Sequence, residues 1–127
     1  MICGVGIDMV EVQRIENILK RWGDKFTGRV FTESEIEYCR KRARPAIHYA
    51  ARFAAKEAFL KSIGVGLAGG LEIKDIEALN DQHGKPVLNL HNKAKVTLNK
   101  NGAATVHLSI SHTARYATAV VILERIR

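Results

Sequence analysis

The chain has 127 residues, 46% hydrophobic and 26% charged, a globular composition at a length that buries roughly two thirds of its unfolded surface. No apolar run approaches the roughly 18 residues of a membrane span, and "MICGVGID" lacks the zones of a secretory signal, so a soluble cytosolic protein is expected. The net charge of +7 favours acidic partners, and Cys3 and Cys39 alone make neither a disulfide framework nor a CxxC pair.

In chain order, "ICGVGID" reads as a short buried strand ending at Asp8, its glycines admitting close backbone approach. "DMVEVQRIENILKRWG" spaces Val12, Ile15, Ile18, Leu19 and Trp22 as an amphipathic helix that stops at Gly23 and carries Arg14, Lys20 and Arg21 on its polar flank. At its start, Asp8 with Glu11 reads as an N-cap pair. "FTESEIEYC" holds a capping box, Thr32 with Glu35, and predicts a helix to about Lys41. After the basic run "RKRARP", a pattern resumes at about Ala46 and continues to Ile63, the longest element, before the loop "GVGLAGG". "LEIKDIEALN" and "KPVLNL" read as strands flanking the turn "DQHG", "HNKAKVTLNKNG" as a small helix, and "ATVHLSIS" and "YATAVVIL" as strands joined by "SHTAR". Helices crowd the first half and strands the second. The predicted fold is therefore α+β, an antiparallel sheet packed against a long central helix, as one domain over residues 1–127.

Glu57 breaks the pattern of the long helix. It shares a side with Phe53 and Leu60, and a carboxylate turned inward must be neutralised by a cation, by hydrogen bonds or by a proton. If Asp8 faces it, a hard divalent cation such as magnesium resolves the repulsion, since magnesium takes one or two carboxylates with water and phosphate oxygens. Lys61, one turn on, is placed to reach such a phosphate; an i,i+4 pair with Glu57 is the plainer reading. Arg52 and Lys56 project from another side, as a solvated flank or as phosphate ligands. The glycine loop follows a helix and lacks a GK[ST] ending, so it is neither a P-loop nor a dinucleotide motif. Alternation puts Thr105, His107, Ser109 and Ser111 on one strand face and Val106, Leu108 and Ile110 on the other. The polar row suits a cleft and plain solvent exposure equally. His107 is a candidate base, His112 reads as a turn stabiliser, and His48, His83 and His91 form no metal-ligand spacing.

The segments "GVGIDMVEVQRI", "FTESEIEYC", "RFAAKEAFLKSIGVG", "DQHGKPVL" and "VHLSISHTARYATAVVI", in this order and at this length, resemble the holo-acyl-carrier-protein synthase family of phosphopantetheinyl transferases. The resemblance implies transfer of 4'-phosphopantetheine from coenzyme A to a serine of apo acyl carrier protein in fatty acid biosynthesis, with Asp8 and Glu57 as magnesium ligands. It places Glu57, Lys61 and His107 in catalysis and Arg52, Lys61, Gly64, Ser109 and His112 against coenzyme A. Arg14 and Arg21 offer a landing site for the acidic carrier, and the "RKRAR" charges a hold on nucleotide phosphates. Short members of the family resemble homotrimers with the cleft between adjacent subunits. The base is open between Glu57, His107 and a metal-bound water. A small basic RNA-binding domain is the competing class. It is suggested by charge alone and opposed by 6% aromatic content and by the lack of an RNP, KH or helix-turn-helix signature, so neither nucleic acid nor membrane is expected as a partner. An inactive carrier-binding scaffold is opposed by the intact Asp8, Glu57 and Lys61.

Overall fold

The computed structural model describes residues 1–64 and 70–126. The glycine loop therefore falls outside the described residues at 65–69, and only its first and last glycines are placed. The chain runs β1 (Ile2–Glu11), α1 (Val12–Trp22), α2 (Asp24–Val30), α3 (Glu33–Arg40), α4 (Pro45–Ile63), a 3-10 turn (Ile73–Asp75), β2 (Ile76–Asn80), β3 (Pro86–Leu90), α5 (Asn92–Lys100), β4 (Thr105–His112) and β5 (Tyr116–Glu124). The antiparallel strands β1, β5 and β4 form one sheet in that order, and β2 and β3 form a separate hairpin. This is the α+β arrangement that the sequence predicts, with α4 as the central helix.

Each end of α4 is set by a residue suited to it. Pro45 stands in the first turn, where its missing amide costs nothing. Gly64 closes the helix in the left-handed conformation, at φ 74°, and donates its amide to the Leu60 carbonyl. Between them Ala46, Ala50, Ala51, Ala54, Ala55 and Ala58 are all buried, so the helix is covered on nearly every side by β1, β5, α1, α3 and β2.

Contact between β1 and α4 is backbone on backbone. A Cβ on Gly6 would lie 1.9 Å from the Ala58 carbonyl oxygen, and one on Gly4 would lie 2.3 Å from that of Ser62. Any other residue would push the strand away from the helix. The sheet then sorts its side chains by alternation. Toward α4 run the rows Gly4–Leu123–Val106, Gly6–Val121–Leu108 and Asp8–Ala119–Ile110. The other face carries Val5–Ile122–His107, Ile7–Val120–Ser109 and Met9–Thr118–Ser111. On that outer face Val5, Ile7 and Met9 are 57%, 63% and 66% exposed, an apolar row that nothing in the chain covers among the described residues.

Three expectations are corrected. Asp8 does not cap α1: the period-two alternation carries β1 through Asp8 to Glu11, and α1 begins at Val12 with no side-chain cap. α2 was not anticipated, because seven residues containing Gly28 are too short to show a period. Arg52 and Lys56 are no solvated flank, since both are buried. The Thr32 capping box is present in both its halves.

Candidate active site

Where β1 crosses α4 beside α1, four charged side chains meet. Lys61 donates from Nζ to Asp8 Oδ1 at 3.0 Å and to the Ile7 carbonyl oxygen at 3.1 Å. The Asp8 side chain is 17% exposed and that of Lys61 55%. Glu57, half-buried, has its carboxyl pushed above the ordinary value first by burial and then by the Asp8 charge, with Lys61 and Arg14 opposing. The two acids therefore sense each other across the strand and helix junction. Lys61 pairs with Asp8 rather than with Glu57 one turn back, which corrects the i,i+4 reading.

Two carboxylates define what this junction can hold. Among the described residues no three His, Cys, Asp or Glu side chains cluster as a metal cage. A zinc or calcium site would need more protein ligands. A pair of acids, one of them destabilised as an anion by burial and by its neighbour, fits magnesium completed by water and phosphate oxygens.

A second cluster lies on the α3 side of α4. The guanidinium groups of Arg42 and Arg52 lie 3.9 and 4.0 Å from the Tyr38 ring centroid. The His48 ring stands edge-on to Tyr38 and to His112, at 5.9 and 5.8 Å. Burial, then the charge of His112, lowers the His48 pKa from its ordinary value. Arg52 Nε is a buried donor with no acceptor among the described residues. Arg52 and His112 thus belong to one cluster centred on Tyr38 and His48.

The remaining candidates are dispersed. His107 and Ser109 lie on the outer face of the sheet, opposite the side on which Asp8 meets α4, and His107 Nε2 is 3.0 Å from Glu124 Oε1. Gly64 ends α4, three residues beyond Lys61. On α1, Arg14, Ile18, Arg21 and Trp22 line an open groove, and Trp22 continues into a second one with Lys25, Phe26 and Arg29. The last three belong to the unanticipated α2.

Sequence reasoning also missed a buried ion pair. Lys56 Nζ donates to Glu35 Oε1 at 2.8 Å, to the Ile73 carbonyl at 3.4 Å and to the Ile76 carbonyl, with both side chains fully buried. Glu35 also accepts the amides of Thr32 and Ala78, each at 2.9 Å. Desolvation lowers the Lys56 pKa, and the Glu35 carboxylate opposes this. The available signal was the apolar company of Lys56 on its own side of the helix, Phe53, Phe59 and Leu60, with Ala55 before it.

A profile of the 4'-phosphopantetheinyl transferase superfamily matches residues 4–121. The holo-[acyl-carrier-protein] synthase of Syntrophus aciditrophicus is 57% identical over 127 residues, covering 100% of this chain and 99% of the relative. The crystal structure of a holo-(acyl-carrier-protein) synthase from Bacillus anthracis in complex with CoA (3',5'-ADP) superposes with a TM-score of 0.80 at 41% identity, covering 99% of each chain. That of the Neisseria meningitidis holo-[acyl-carrier-protein] synthase reaches 0.90 at 34% identity over 98% of this chain and 100% of the other. A match that spans the whole chain, joined to a strand and helix junction carrying the acid pair, places this chain in the holo-[acyl-carrier-protein] synthase family of the 4'-phosphopantetheinyl transferase superfamily.

Proposed function

We propose that the chain, acting in the cytoplasm as one domain, transfers the 4'-phosphopantetheine group of coenzyme A to a serine of apo acyl carrier protein. The products are holo acyl carrier protein and adenosine 3',5'-bisphosphate, in fatty acid biosynthesis, with magnesium as cofactor. The observation that carries the reading is the meeting of Asp8, Glu57 and Lys61 at one junction. Asp8 and Glu57 would hold magnesium, which when bound supplies charge stabilisation to the diphosphate.

The serine oxygen attacks the β-phosphorus of coenzyme A, the bond to the bridging oxygen breaks, and the nucleotide leaves with that oxygen. Lys61 stabilises the charge that builds on the diphosphate. The serine proton passes to His107 of an adjacent subunit or to a water; Glu57, committed to the metal, is a poor base. His107 faces away from Asp8 of its own chain, so it reaches a site only across a subunit boundary. Arg52 and His112 are assigned to a phosphate of the nucleotide, a reading supported by the buried Arg52 Nε, a donor with no acceptor among the described residues. Gly64 and Ser109 are assigned to the same ligand, Ser109 from the subunit that contributes His107. The test is direct: incubate the purified chain with coenzyme A, magnesium and apo carrier protein and weigh the carrier by mass spectrometry. A carrier that gains no pantetheine arm overturns the reading.

Two features of assembly accompany it. The exposed row Val5, Ile7 and Met9 supports a homotrimer closed through the outer sheet face. Light scattering at micromolar concentration should return the mass of three chains, and Ile7→Asp should dissociate them; a monomeric wild type would exclude the assembly. Arg14 and Arg21 on α1, beside the half-exposed Trp22, are placed to meet the acidic carrier. Arg21→Glu is expected to raise the KM for carrier about tenfold while leaving that for coenzyme A unchanged, and added salt should mimic it. Equal rises in both KM values would dismiss α1 as the docking helix.

A further inference from the structure

We infer that Lys61 is a resident counter-ion, occupying Asp8 until a divalent metal displaces it, and that this displacement delivers its ammonium to the diphosphate. The inference rests on the proposed metal role of Asp8 and Glu57. In the structure the Lys61 ammonium bonds two hard oxygens, Asp8 Oδ1 at 3.0 Å and the Ile7 carbonyl at 3.1 Å. Those are the oxygen types a small divalent cation seeks. A metal taking up Asp8 at about 2.1 Å meets a positive charge already seated on the same carboxylate. Two cations at such separations repel strongly where water is partly excluded.

Lys61 is free to leave. Its side chain is 55% exposed, and a flexible four-carbon stem lets the ammonium swing without unpacking the helix. Among the described residues, Lys61 alone makes an ion pair with Asp8. Displaced, it remains one turn beyond Glu57, where a phosphate shared with the metal becomes its next partner. Metal and diphosphate then bind cooperatively, each strengthening the other by the same factor. Without diphosphate, Lys61 holds metal affinity down. Metal occupancy is thereby tied to the presence of substrate.

The experiment titrates Mn2+, observed by electron paramagnetic resonance, into the wild type and Lys61→Met, Lys61→Arg, Asp8→Asn and Glu57→Gln, each with and without coenzyme A. Without coenzyme A, Lys61→Met should bind Mn2+ roughly five- to tenfold tighter than the wild type, and Lys61→Arg, which keeps the charge, should not. With coenzyme A added, Mn2+ affinity should rise markedly in the wild type and much less in Lys61→Met. Affinity of Lys61→Met equal to or weaker than that of the wild type overturns the displacement. If Asp8→Asn and Glu57→Gln bind Mn2+ normally, the metal reading itself falls and takes the displacement with it. If they lose binding while Lys61→Met fails to gain it, only the displacement falls.

Discussion

Glu57→Gln is expected to lower transfer by roughly a thousandfold or more, on the scale of losing a central charge-stabilising group, while leaving the metal-free protein at least as stable as the wild type. The second half of this expectation separates it from a folding defect. Glu57 is half-buried, and its carboxyl is raised first by burial and then by Asp8. Its ionised form therefore costs the fold. With the folded-state pKa above the unfolded one, the folded protein holds the proton longer, and stability falls as pH rises through that interval. Gln keeps the shape and removes the titration, so the variant should lack that loss. Thermal melts of the two proteins without metal, from acidic to neutral pH, would show the curves separating as pH rises. A Gln variant that melts well below the wild type at neutral pH, or one that retains transfer, contradicts the proposed role.

Lys56→Met should cost about 3–5 kcal/mol, the largest stability effect expected from a single substitution here. The cost comes from what is left behind. Glu35 would remain fully buried as a carboxylate with no cation, keeping only the amides of Thr32 and Ala78, and the Ile76 carbonyl would lose its Lys56 donor, while that of Ile73 keeps the Ile76 amide. Removing both charges together, as Lys56→Met with Glu35→Leu, should recover only part of the loss: no buried charge is left alone, but the amides of Thr32 and Ala78 and the Ile76 carbonyl still lose their side-chain partners. Urea unfolding of the single and double variants measures both. A single variant within 1 kcal/mol of the wild type, by the general scale for surface changes, would mean that the pair contributes little.

Legibility in the sequence followed how local the cause was. The long helix, the Thr32 capping box and the two alternating strands could be read because period, cap and turn chemistry act within a few residues. Glu57 stood out because it interrupted a period. Asp8 was misread as a cap, since a strand that runs on into a helix and a capped helix start look alike until the partner strand is placed. Lys56 was misread because Glu35, its partner, already had a local role as the third residue of a capping box. His107 and Ser109 were correctly set on one strand face. Which side of the sheet α4 covers is a property of tertiary packing, so their separation from Asp8 could not be foreseen.

Strand β1 carries two messages in alternate letters. Its even positions, Gly4, Gly6 and Asp8, let the helix come close and then present the acid; its odd positions, Val5, Ile7 and Met9, supply the bare apolar face. A slip of β1 by one residue against β5 would exchange the two sets, turning Ile7 against α4 and Asp8 outward. The acid pair's junction and the outer face therefore share a single reading frame, and neither can drift along the strand without erasing the other.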